Sequence, residues 1–209
     1  MLNEENKIYG FNVYIGSLAG VSTGYIAGII LGNLGSDNSD VGFFTLALTL
    51  ASPLTLLPTI IGTTYFKSFA TNAMISKKLL YGSIILTVLS GLLFVAVIKL
   101  VVNILYPEEY SIVSLYASWL ALAMCAHGMG DLFNKFLGAH GQGKQLRNGA
   151  FICGTVLLLG SLIGIPSWGI NAAITTRIVA SFSYFISMFW FYYSFTSSKG
   201  CSNVKSINN

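Results

Sequence analysis

Four ionisable side chains fall inside long apolar stretches of this 209-residue chain: Lys99, His127, Asp131 and Arg177. A charge at membrane depth is costly, so such residues face a polar cavity, a partner group or a substrate. Arg177 sits about 10 Å along its helix from the nearer end, at 1.5 Å per residue. Asp131 is the one carboxylate within an apolar stretch, but it falls near the opposite end of its own helix, which argues against a direct pair with Arg177. Arg177 is therefore expected to face a polar cleft and meet an anionic substrate group. Lys99 is the second candidate. It lies about 9 Å from the end of its stretch at Leu105, close enough for its long stem to snorkel to the headgroups instead.

His127, Asp131 and Lys135 follow one another at i, i+4 and i+8, which stacks them on one helical face. Two readings stay open for that face. Asp131 and Lys135 form an interfacial pair, or His127 and Asp131 form a gating or ion-coupling site, since both change charge by taking up a proton.

The elements that position these residues follow from composition. Hydrophobic residues make up 54% of the chain and charged residues 9%, far more apolar surface than a soluble core of this length requires. Windows of roughly 20 apolar residues, the length that crosses a hydrocarbon core, occur at 11–34, 41–66, 79–105, 112–136, 150–165 and 170–195. The reading is an all-α membrane protein: a bundle of six transmembrane helices over 11–195, with an N-terminal tail 1–10 and a C-terminal tail 196–209.

Charge sets the orientation. Nine of the eleven basic residues (Lys7, Lys67, Lys77, Lys78, Lys135, Lys144, Arg147, Lys199 and Lys205) fall in the tails and the even-numbered gaps, Lys135 at the edge of its window. The odd-numbered gaps carry only Asp37, Asp40, Glu108 and Glu109. The positive-inside rule then puts both termini in the cytoplasm, which six crossings satisfy. The first window is too long for a signal-peptide core, is interrupted by Tyr14, Ser22, Thr23 and Tyr25, and ends without a small-residue cleavage pattern, so it is read as a span.

Packing and bending signals are local. Gly16, Gly20, Gly24, Gly28 and Gly32 recur every fourth residue, a groove for close approach of another helix. Pro53 and Pro58 interrupt the second window, each removing a backbone donor, and are candidate hinge positions. Cys125, Cys153 and Cys201 provide neither a disulfide framework nor a metal-ligand spacing, so no metal and no cofactor are expected. Gly138 to Lys144 matches the spacing of a phosphate loop, but Gln145 replaces the magnesium-binding hydroxyl and an apolar helix precedes it in place of a strand. It reads as a turn.

The run from His127 through Gly128, Gly130, Asp131, Asn134, Lys135, Gly138, Gly141 and Gly143 to Lys144, continuing to Arg147 and Asn148, resembles a stretch of bacterial polysaccharide flippases. These belong to the multidrug/oligosaccharidyl-lipid/polysaccharide exporter superfamily. Val41-Gly42-Phe43-Phe44-Thr45-Leu46-Ala47 is similar to an element that enters a span in that family. Trp168-Gly169-Ile170-Asn171-Ala172-Ala173 resembles its entry to a late span, with Asn171 where glycine is usual. Order and spacing are most similar to the C-terminal lobe of a two-lobe fold of 12 to 14 spans.

The resemblance implies translocation of an undecaprenyl-pyrophosphate-linked oligosaccharide across a bacterial inner membrane, with a second six-helix lobe or a homodimer partner completing the cavity. On that reading Arg177 and Lys99 contact the diphosphate. A cation-coupled drug exporter of the same superfamily and a non-transporting membrane scaffold subunit are the alternatives. An enzyme is not expected, because the polar residues within the spans are too scattered for a transferase site, and neither is a nucleic-acid partner.

Overall fold

The computed structural model describes residues 4–207 except positions 36 and 38, and leaves the side chains of 5, 21–24 and 199–207 undescribed. Expectations for Ser22, Thr23, Gly24, Lys199, Cys201 and Lys205 therefore lie outside the described residues. The rest is helical, with no strand among the described residues: α1 (Glu4–Leu34), α2 (Ser39–Ala51), a 3-10 turn (Ser52–Thr55), α3 (Leu56–Thr64), α4 (Phe66–Thr71), α5 (Lys77–Leu105), a short 3-10 turn (Glu108–Tyr110), α6 (Val113–Ala139) and α7 (Gly143–Ile207).

Five helical stretches are long and apolar enough to cross a membrane: Asn6–Leu34, Ser39–Thr64, Lys77–Leu105, Glu108–Ala139 and Gly143–Ser198. The last contains 56 residues, more than twice the length a single crossing needs. It is two helices. Gly169, at φ 52° and ψ −132°, breaks the helical path in a region essentially restricted to glycine. The arms on either side pack against each other: an added Cβ at Gly160 would lie 2.5 Å from Thr176 Cγ2, one at Gly164 3.0 Å from Ala172 Cβ, and one at Gly149 would collide with Met188. These pairs converge on Trp168 and Gly169, as an antiparallel hairpin requires. The two arms occupy the windows expected at 150–165 and 170–195.

Helix also covers segments outside the apolar windows. Residues 4–10 are helical, because α1 begins at Glu4, where the Lys7 ammonium pairs with the Glu4 carboxylate at 3.5 Å one turn away. Helix α7 likewise runs through 196–207. The second window is not one helix: Pro53 opens the 3-10 turn, α3 follows, and α4 continues past residue 66. Elsewhere the ends follow familiar chemistry. The Ser76 side chain accepts from the Leu79 N–H (3.3 Å) and starts α5. The phosphate-loop spacing is a Schellman turn closing α6: Gly141 has φ 70°, its N–H donates to Gly138 O (3.0 Å), and the Gln142 N–H donates to Leu137 O (3.0 Å).

Helix α6 is the hub, packed by α2, α3, α4, α5 and α7, while α1 lies mainly along α7. Its Leu120, Leu132, Phe133, Phe136 and Leu137 are almost completely buried. The outward faces of α5 and of the second arm of α7 are apolar, with Leu92, Leu93, Ile104, Ile186 and Trp190 all exposed. Such a surface suits lipid and not water.

The charges divide between the two ends. The Tyr9 hydroxyl donates to Gly138 O (3.2 Å) and the Ile75 N–H to the Tyr192 hydroxyl (3.2 Å), gathering the segments that carry Lys7, Lys67, Lys77, Lys78, Lys144 and Arg147. At the far end Phe43 meets Tyr110 edge-on (5.4 Å) and Gly169 lies beside the Asp40 carboxylate, near the turns with Asp37, Glu108 and Glu109.

The glycine stripe of α1 is only partly used. At Gly16 an added Cβ would lie 3.2 Å from Arg147 Cα, a true backbone approach, whereas at Gly20 and Gly28 it would meet nothing within 4 Å.

Candidate functional site

Two glycines on α6 shape the site. An added Cβ at Gly128 would lie 3.0 Å from Thr55 Cα and 3.2 Å from Pro58, so its absence lets the proline-broken stretch close onto α6. At Gly130 the same atom would lie 2.6 Å from the Tyr184 ring. Without side chains there, α3 and the second arm of α7 approach α6 from two sides around Asp131.

The result is a hydroxyl clamp. The Tyr184 hydroxyl donates to Asp131 Oδ1 (3.0 Å), and the Thr59 hydroxyl shares its one hydrogen between the Thr55 carbonyl (2.8 Å) and Asp131 Oδ2 (3.1 Å). Asn134 Nδ2 donates to the Tyr184 oxygen (3.0 Å), fixing that phenol. The His127 ring stacks on Tyr184 with centroids 4.6 Å apart and planes 22° from parallel. Its Nδ1 is buried with no hydrogen-bond partner among the described residues.

His127, Asp131, Asn134, Lys135 and Tyr184 line a cavity of ≈ 400 Å³ that α1 walls off with Gly16, Ser17 and Gly20. Cys153, from the first arm of α7, completes the inner wall. At the cavity's base Arg147 Nη1 donates to Asn12 Oδ1 (2.8 Å), holding α1 against α7. The cavity opens within the half of the bundle that carries the basic residues.

The candidate residues fall in four places. His127 and Asp131 come together in the cavity. No ion pair joins Asp131 to Lys135 among the described residues: the Lys135 stem packs over Gly62, while hydroxyl donors take the Asp131 oxygens. Pro58 is buried against α6 and Pro53 opens the 3-10 turn. Lys99 is exposed, in a shallow groove with Ser111, Ser114 and Ser118 near the acidic end.

Arg177, expected to face a polar cleft that a second lobe closes, is 8% exposed and is not among the residues that line this cavity.

Sequence reasoning missed Thr59, Asn134 and Tyr184. Asn134 was on the stacked face at i+3 from Asp131, and the Gly128 and Gly130 pair flanking the site signalled close approach. Nothing local ties residue 184 to residue 131. No known protein-family profile, curated protein or solved structure matches this chain.

Proposed function

We propose that this chain is a six-crossing lobe of a membrane flippase that moves a lipid-linked oligosaccharide across a bacterial inner membrane, with both termini cytoplasmic. The observation that carries the reading is the polar cavity in the basic half of an otherwise apolar bundle, where Asp131, His127 and Lys135 meet beside a proline-broken helix. Broken helices and cavity-lining ionisable groups are the devices by which transporters expose polar cargo without exposing backbone to lipid. The motif resemblance around His127 to Lys144 supports the same class. A cavity of ≈ 400 Å³ is too small for an oligosaccharide, which fits a lobe whose cargo path is completed by a second lobe or a second copy.

Asp131 favours one further reading, a cation-coupled exporter of the same superfamily, because a single carboxylate lining a cavity attracts cationic cargo.

The test is genetic. In a glycan-displaying strain that encodes this chain, Asp131→Asn at equal protein level is expected to abolish display while lipid-linked precursor accumulates. Normal display in strains that lack the chain altogether removes the reading. Loss of cationic-drug export, with display intact, replaces it by the exporter.

A further inference from the structure

A second polar site lies at the acidic end of the fold, away from Asp131. A groove of ≈ 480 Å³ runs between α5 and the start of α6, and its lining includes Val95, Lys99, Ser111, Ser114 and Ser118. None of these five lines the cavity beside Asp131. The surrounding surface suits lipid, with Leu92, Leu100 and Leu115 exposed.

Lys99 is exposed and makes no ion pair among the described residues. Its route to water along bare helix is poor. The residue lies about 9 Å short of Leu105, and side chains lean toward a helix's N-terminus, which for α5 is the basic end. The serines supply a polar track instead. They descend from Ser111 at the mouth to Ser118, about 8 Å inside the start of α6 and so near the depth of Lys99. The Ser118 hydroxyl donates to Ser114 O (2.7 Å) and the Ser114 hydroxyl to Ser111 O (2.7 Å), so their oxygens keep lone pairs for an ammonium.

Hydroxyl oxygens solvate an ammonium without neutralising it. A lysine at the edge of hydrocarbon still calls for an anion, and a phosphate gives the stronger, charge-assisted bond. Carboxylates stand at the mouth: Glu108 and Glu109 are exposed in the turn that ends at Ser111, whose N–H donates to Glu108 O (3.0 Å). Neither pairs with Lys99 among the described residues.

A cation inside the groove and two carboxylates at its mouth form a dipolar pattern. We infer that the groove holds one phospholipid with a zwitterionic, primary-amine headgroup, its phosphate on Lys99, its ammonium on Glu108 and Glu109, and its acyl chains along Leu92 and Val95. An anionic headgroup without the amine meets the same carboxylates with like charge, and a diacylglycerol lacks both charges. The inference needs only a chain that spans a membrane, and it assigns Lys99 to a resident lipid and not to cargo.

Native mass spectrometry of the purified full chain in detergent tests it, with dioleoyl-phosphatidylethanolamine, dioleoyl-phosphatidylglycerol and dioleoylglycerol as probes and excess inorganic phosphate as competitor. One phosphatidylethanolamine is expected to be retained, about tenfold tighter than phosphatidylglycerol. Lys99→Met keeps the apolar stem and is expected to weaken phosphatidylethanolamine about tenfold. Glu108→Gln with Glu109→Gln is expected to erase its advantage over phosphatidylglycerol. Lys67→Met, an exposed lysine at the basic end, is expected to change nothing.

All four substituted residues are exposed, and an unfolding transition like that of the parent shows each variant to be folded. Parent-like retention by Lys99→Met, or an equal loss in Lys67→Met, overturns the site. Phosphatidylglycerol or dioleoylglycerol held as tightly as phosphatidylethanolamine overturns the zwitterionic assignment. Displacement of the lipid by inorganic phosphate shows that a free anion is the ligand and overturns the lipid source.

Discussion

The Tyr184 hydroxyl reaches Asp131 Oδ1 at 3.0 Å across 53 residues of sequence, while its ring lies flat against His127. This one side chain ties the end of the fold to its hub and sets the geometry of the cavity.

Tyr184→Phe keeps the stack and removes the hydrogen bond, leaving Thr59 as the protein donor to Asp131. The expected loss is about 1 kcal/mol of stability, in the range for hydrogen bonds between membrane helices. Unfolding in a mixed-detergent titration measures it. A variant as stable as the parent would mean that water replaces the phenol at no cost.

Gly130→Ala pushes a methyl group into the Tyr184 ring, a rigid neighbour that cannot swing aside without leaving Asp131. Overpacking of this kind costs about 1–3 kcal/mol. Gly28→Ala, where nothing lies within 4 Å, is expected to leave the unfolding midpoint unchanged or slightly raised through better helix propensity. Thermal scans of the two variants side by side check the contrast.

Gly169→Ala forces a side chain into a backbone conformation that L-residues rarely adopt. A cost of about 1–3 kcal/mol is expected, together with increased protease cleavage at the turn of the α7 hairpin. Cleavage patterns identical to those of the parent would argue that the turn is not where the arms reverse.

Asp37, in the turn before α2, has its carboxyl held below the usual carboxylate range by the Ser39 backbone N–H, which donates to Oδ1 at 2.9 Å. A depressed folded-state value means that its stabilising effect is present above the unfolded value near 3.9 and fades as pH falls through the folded value. Asp37→Asn should therefore lower the thermal midpoint slightly at neutral pH. The difference from the parent should vanish in acid below the usual carboxylate range, and a difference that persists there would contradict the assignment.

Much of the scaffold is legible in residue order. Hydrophobic windows located the membrane-length helices because burial in lipid acts on each segment separately. Pro53 and Pro58 announced the broken stretch because proline acts on its own turn. That 4–10 and 196–207 are helical was not legible, since polar helical turns leave no hydropathy signal. The site was half legible. The i, i+4 spacing put His127 and Asp131 on one face, but whether Asp131 takes Lys135 or a hydroxyl is decided by Thr59 and Tyr184, brought in by tertiary packing at Gly128 and Gly130. The enclosure of Arg177 was hidden for the same reason: depth along a helix is written in the sequence, but the face it presents depends on how the α7 arms pack.

Translocation by the reconstituted chain tests the central claim most directly. Proteoliposomes carrying a fluorescent, diphosphate-linked saccharide on a short polyprenyl chain are treated with a membrane-impermeant quencher. The parent chain is expected to expose the inner-leaflet pool within minutes, and Asp131→Asn to slow that exposure by about tenfold or more. Exposure no faster than in protein-free liposomes, from chain shown to be folded by its unfolding transition, would contradict the account.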